Sequence, residues 1–115
     1  MPGKRAHKYG AKSIVVDGIR FPSKKEARRW QELRLLEKAG RITNLERQVR
    51  IPLHGRNGPI LTPTGRPMAY VADARYVDWD RQGRTVIEDA KGYETPEFKI
   101  KRAILAAQGI IVETV

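Results

Sequence analysis

The stretch from Met68 to Gly92, MAYVADARYVDWDRQGRTVIEDAKG, constrains the fold more than any other part of the chain. Two long runs rich in Val, Ile, Tyr and Thr flank the polar, glycine-ended turn DRQG. That is the pattern of an antiparallel hairpin. What surrounds it must cover it, and two segments read as helices. PSKKEARRWQELRLLEKAG offers Ser23 as a cap with Glu26 three residues later, and Gly40 to close the last turn. Ala27, Trp30, Leu33 and Leu36 or Leu35 form its apolar stripe. TPEFKIKRAILAAQG carries Thr95 at the cap, Pro96 in the first turn and Gly109 at the end.

The remaining pieces are extended. SIVVDGIRF is a short hairpin about Asp17-Gly18, a dipeptide suited to the positive φ angles of a two-residue turn. ITNLERQVRIPL alternates Val49, Ile51 and Leu53, HGRNGPILTPTGRP reads as an exposed loop, and IIVETV is a last strand. The order is ββ–α–β–β–β–α–β. It predicts one α/β domain over residues 13–115, a mixed central sheet flanked by helices, behind a flexible basic arm at 1–12.

Charge narrows the function. The net charge is +10, and residues 1–30 hold nine Lys and Arg against only Asp17 and Glu26. Such a field favours a polyanion, most simply nucleic acid. With no cysteine, disulfides, thiolate zinc sites and cysteine nucleophiles are excluded. His7 and His54 stand far apart, in no metal-ligand spacing. No apolar run approaches membrane length and no signal-peptide pattern opens the chain, so a soluble, cytoplasmic protein is expected.

The chemistry lies in the long hairpin. Strand side chains alternate, so Asp89 and Lys91 share a face with Thr85 and Ile87, while Glu88 and Ala90 take the other. A three-residue loop sets Asp73 opposite Lys91 and diagonal to Asp89, and a longer one sets it opposite Asp89. A shift by one residue pairs it with Glu88 instead. Two carboxylates on neighbouring strands repel unless a cation lies between them, and a hard divalent ion such as Mg²⁺ fits that need. The plain alternative is a solvated strand end, with Asp73 salt-bridged to Arg75 or Lys91. Glu26 is likewise either a capping-box partner of Ser23 or a site residue.

Taken together, YGAKSIVVDGIRFPSKKEARRW, YVADARY and IEDAKG resemble, in order and spacing, a family of small phage-encoded proteins in the PD-(D/E)XK nuclease superfamily. The resemblance implies a restriction-endonuclease-like core, αβββαβ, and a Mg²⁺-dependent DNA endonuclease in which Mn²⁺ substitutes. It implies metal binding by Asp73, Asp89, the Ala90 carbonyl and Glu26, and a catalytic set of Glu26, Asp73, Asp89 and Lys91. Ala72 stands where the superfamily motif has proline, a proline that many members lack. Branched or duplex phage DNA in recombination, replication or packaging is the implied substrate, as for a Holliday-junction resolvase. A homodimer would supply two sites, and a phage replication or packaging protein is a further expected partner. Candidate nucleic-acid contacts are Lys4, Arg5, Lys8, Lys24, Lys25, Arg28, Lys99, Lys101 and Arg102, with Tyr93 as a stacking ring. The runner-up is a non-catalytic nucleic-acid-binding protein on the same fold.

Overall fold

The computed structural model describes residues 12–115. Strands β1 (Ile14–Val16) and β2 (Ile19–Phe21) pair as a hairpin whose turn residues, Asp17 and Gly18, have φ of 52° and 80°. Helix α1 spans Lys24–Lys38; Ser23 Oγ accepts the Glu26 N–H at 3.2 Å, and Gly40 follows the helix with φ 79°. Ala27, Trp30 and Leu33 are buried and Leu36 packs beside them, whereas Leu35 faces solvent.

Strand β3 (Ile42–Pro52) leads into β4 (His54–Gly55) and β5 (Gly58–Pro59), then β6 (Ala69–Asp78) and β7 (Arg84–Asp89). Helix α2 (Pro96–Ala107) is capped by Thr95, whose hydroxyl accepts the Phe98 N–H, and leads to β8 (Val112–Thr114). The central sheet runs β3-β6-β7-β8. The first three strands are antiparallel. β8 lies parallel to β7 because α2 carries the chain back across the sheet, and the sheet is therefore mixed.

Residues 54–67 differ from the expected plain loop. The β4–β5 hairpin and a Leu61–Pro67 bridge give them structure of their own. The register of the long hairpin is also decided. Asp78 pairs with Arg84 and Ala74 with Glu88, so Asp73 stands opposite Asp89. The connection is five residues, 79–83, not three. Trp79–Arg81 form a 3₁₀ turn, followed by Gln82 and Gly83 at φ 62° and 76°. A β-carbon at Gly83 would lie 2.9 Å from the Trp79 ring, so both backbone angle and space require glycine there.

Two apolar cores form. One gathers Phe21, Trp30, Leu33, Ile42, Tyr76 and Val86 beneath α1 and the β1–β2 hairpin. The other gathers Val49, Ile51, Tyr70, Phe98, Leu105 and Val112 beneath α2. Each long strand contributes to both. On β6, Ala74 belongs to the first core and Ala72 to the second, with Asp73 between them. On β3, Arg47 lies over the Phe21 ring of the first core, Val49 belongs to the second, and Gln48 lies between. The polar residues of interest thus sit on the seam between two cores. No helix among the described residues is long and apolar enough to cross a membrane.

Candidate active site

The seam is built from the ends of four elements. β6 brings Asp73, the end of β7 brings Asp89, Ala90 and Lys91, the first turn of α1 brings Glu26, and β3 brings Arg47 and Gln48. Beyond the Ala74–Glu88 pair, side chains take over the sheet's hydrogen bonding. The Asp73 N–H donates to Asp89 Oδ1 at 2.8 Å, and the Ala90 N–H donates to Asp73 Oδ2 at 2.9 Å. Each aspartate is therefore held through one oxygen by the opposite strand's backbone. Asp89 is fully buried, at 0 % exposure, and its second oxygen, Oδ2, has no hydrogen-bond partner. A buried carboxylate oxygen with nothing to accept from is costly.

Glu26 is 8 % exposed. Its carboxylate does not turn back to close a capping box. It accepts a long hydrogen bond from Gln48 Nε2 at 3.4 Å and lies 3.9 Å from Arg47 Nη2. Burial, then the nearby Asp73 carboxylate, push its pKa up to about 7. Burial also raises the pKa values of Asp73 and Asp89, against the lowering effect of their backbone hydrogen bonds and of Lys91. Burial is the first cause for all three acids. A cavity of about 10 Å³, room for about one water-sized centre, lies between Phe21, Trp30 and Leu33 on one side and Glu26, Asp73 and Glu88 on the other; Asp89 does not line it.

The donor set is of the kind a hard cation takes: carboxylate oxygens, one of them, Asp89 Oδ2, buried and unpartnered. Among the described residues, no three His, Cys, Asp or Glu side chains converge as a ready-made metal cage. The acids are buried and offer few protein ligands. Mg²⁺ favours such sites, because it keeps several waters and binds through one or two carboxylates plus substrate phosphate.

Glu88 does different work. It is 1 % exposed and accepts from Arg29 Nε and Nη2 at 2.7 and 2.9 Å, and from the Tyr76 hydroxyl at 2.6 Å. Those hydrogen bonds are the main reason the Arg29 pKa is raised. With its charge matched and its oxygens occupied, Glu88 locks α1 to the sheet and has nothing left for a metal.

Lys91 Nζ lies 4.8 Å from the centre of the Phe98 ring, a cation–π contact, while its charge still lowers the pKa values of all three acids. Lys25 Nζ donates to the Lys91 carbonyl at 2.9 Å, tying α1 to the site. Of the expected nucleic-acid contacts, Lys24, Lys25, Arg28 and Lys99 are exposed, as is Tyr93. Lys25 and Arg28 line a groove of about 180 Å³ that ends at Ala90. Lys101 and Arg102 already have partners: Lys101 bonds the Ala69 carbonyl and Glu97, and Arg102 pairs with Glu94 and lies over Phe98. Lys4, Arg5 and Lys8 lie outside the described residues, as does nearly all of the expected arm.

The sequence reading missed the Arg29–Glu88–Tyr76 network and Arg47. Arg47 was legible, since it shares the inward parity of Val49 and Ile51. Gln48 is exposed on the edge strand β3, and its side chain nonetheless reaches Glu26. It stands opposite Asp73 with φ 53°, a left-handed angle in mid-strand that no pattern announces.

A family model described as a protein of unknown function (DUF1064) matches residues 6–113. The chain belongs to that family. No curated protein and no solved structure matches it.

Proposed function

We propose that this chain is a divalent-metal-dependent DNA endonuclease built on a restriction-endonuclease-like core. The observation that carries this reading is the fully buried, unpartnered Oδ2 of Asp89, opposite Asp73 on the paired strand and beside Lys91. Asp73, Asp89 and the Ala90 carbonyl would hold the ion, with Glu26 completing the set. The ion supplies positive charge at the phosphodiester and makes a water more acidic.

The chain's own residues do the rest. The backbone hydrogen bonds from Asp73 and Ala90 fix the aspartates before substrate arrives, so little reorganisation is needed. Burial and Asp73 raise the Glu26 pKa to about 7 in the metal-free protein, and a cation held beside it would favour its charged, ligating form. Lys91 Nζ moves from the Phe98 face to donate to a phosphate oxygen as charge builds there. Arg47 balances the acids from the β3 side. The net charge of +10 draws the polyanion in. Host-cell cytoplasm, a homodimer with two sites and a branched or duplex DNA substrate complete the reading. The non-catalytic binding module is favoured by one observation, the lack of three converging ligand side chains among the described residues.

A panel of plasmid, linear duplex, single-stranded, flap and four-way-junction DNA separates the two. Cutting is expected with Mg²⁺ or Mn²⁺, lost with EDTA, and lost in an Asp73→Asn, Asp89→Asn double variant. Cleavage by that pure double variant would sink the site assignment. Salt-sensitive binding without cleavage of any substrate would leave the binding module.

A further inference from the structure

From Arg47 to Ala72 the chain runs 26 residues without an acid, bounded by Glu46 and Asp73, and holds four arginines and no lysine. Most of this run is the excursion between β3 and β6. It is folded. Leu53 at its root is fully buried; the Leu53 N–H donates to the Met68 carbonyl, and the Ile60 N–H to the Leu53 carbonyl. Gln108, at the end of α2, clamps that root from both sides: its Oε1 accepts the His54 N–H at 2.8 Å and its Nε2 donates to the Pro52 carbonyl at 3.3 Å. Arg50 donates to the Pro67 carbonyl and braces the returning segment. Compact surface loops whose ends lie close together are frequently functional.

Two arginines remain exposed on it. Arg56 lies in the β4–β5 turn, between Gly55 and Gly58, and Arg66 follows the Thr62–Gly65 turn. Neither makes an ion pair among the described residues. Arginine's planar fork matches phosphate oxygens, and the flanking glycines let another backbone come close. The excursion grows from the same strands that carry the seam. Pro52 and Ala69 lie four residues from Gln48 and Asp73, about 13 Å along extended strands.

We infer that the 53–68 excursion is a second nucleic-acid contact, in which Arg56 and Arg66 bind the phosphodiester backbone of a duplex beyond the stretch lying over the aspartates. This rests on the nucleic-acid part of the proposed function but not on catalysis. It makes a length prediction. A duplex of six base pairs covers about 20 Å of axis, so centred on the seam it reaches roughly 10 Å either way and stops short of the excursion. A twenty-base-pair duplex passes well beyond it.

The test is binding of a labelled 20-bp duplex and of a hairpin with a 6-bp stem, in EDTA, across a salt series. Relative to wild type, Arg56→Ala, Arg66→Ala is expected to bind the 20-bp duplex on the order of tenfold more weakly or worse at 0.1 M salt. Its log–log salt slope should be shallower by about 1.8, from two lost phosphate contacts. The short stem should be unaffected, and Arg56→Lys, Arg66→Lys should keep most of the slope. Unchanged affinity and slope on the long duplex would overturn the inference. So would equal losses on both DNAs, because the arginines would then act through the overall field or through folding. If wild type cuts plasmid and the variant binds the 20-bp duplex normally, only this inference falls. If wild type binds no duplex at all, the nucleic-acid reading falls with it.

Discussion

Glu26→Gln should make the metal-free protein more stable at pH 8. In the folded chain the Glu26 pKa is raised from 4.5 to about 7 by burial and by Asp73. A raised carboxyl pKa means that the native state keeps its proton between about pH 4.5 and 7 while the unfolded chain has released it. Stability therefore falls as pH climbs through that window, and the full penalty is present above it. At 1.36 kcal/mol per pKa unit the shift corresponds to about 3 kcal/mol. Glutamine keeps the shape but never charges. It gives up only the long Gln48 contact and the 3.9 Å Arg47 pairing, so a net gain of about 2 kcal/mol is expected at pH 8. For a domain of this size that is on the order of 8 °C in Tm. At pH 4.5 the gain should shrink towards zero, because the native wild type is then protonated.

Thermal unfolding followed by circular dichroism between pH 4.5 and 8.5 in EDTA measures this directly. The same melts with 10 mM Mg²⁺ should narrow the gap without reversing it, since occupying a site with a Kd of about 1 mM adds about 1.4 kcal/mol to wild type and less to the variant. A variant less stable than wild type at pH 8, by an amount that does not change with pH, would refute the reasoning. Glu26 would then be a satisfied partner of Arg47 rather than an acid short of a cation.

Other outcomes follow from the same geometry. Glu88→Ala strips Arg29 and Tyr76 of their shared acceptor and should cost about 3–5 kcal/mol in urea unfolding, while leaving Mg²⁺ stabilisation measurable in the folded fraction. A loss under about 1 kcal/mol, within the range of surface pairs, would mean that the network is not a buried lock. Lys91→Ala should abolish plasmid cutting yet bind DNA within a few-fold of wild type; undiminished cutting would remove Lys91 from the catalytic set.

The elements were legible because local chemistry states them twice. Ser23 and Gly40 bound α1, and the apolar stripe between them selects the helix. Asp17-Gly18 fixes the first hairpin, and Thr95-Pro96 opens α2. The long hairpin was legible as a hairpin, but its register was not. DRQG allows more than one loop, and the five-residue one observed comes with a tertiary contact that no local pattern announces, the Trp79 indole N–H donating to the Thr43 hydroxyl on β3. Strand period put Asp89 and Glu88 on different faces, and the two side chains do meet different partners, the Asp73 N–H and the Arg29–Tyr76 pair. It could not supply the reason Glu88 is unavailable, which is Arg29, 59 residues earlier in the chain, arriving from another element. A partner so distant leaves no local trace.

Gln48 marks the deeper limit. Sequence alternation describes a strand with one side facing a core, and Arg47, Val49 and Ile51 obey it. Yet β3 and β6 serve two cores in succession, and at the changeover the rule loses its meaning. Gln48 takes a left-handed φ, its side chain meets Glu26, and Asp73 opposite it is clasped by β7. A left-handed non-glycine residue in mid-strand costs on the order of 1 kcal/mol or more, so it persists only where its surroundings hold it. Here those surroundings are Glu26, which the Gln48 amide reaches, and the Arg47–Ala74 and Val49–Ala72 pairs on either side. The seam between cores is where apolar packing exerts least control over side-chain choice, and in this chain the charged constellation occupies that place.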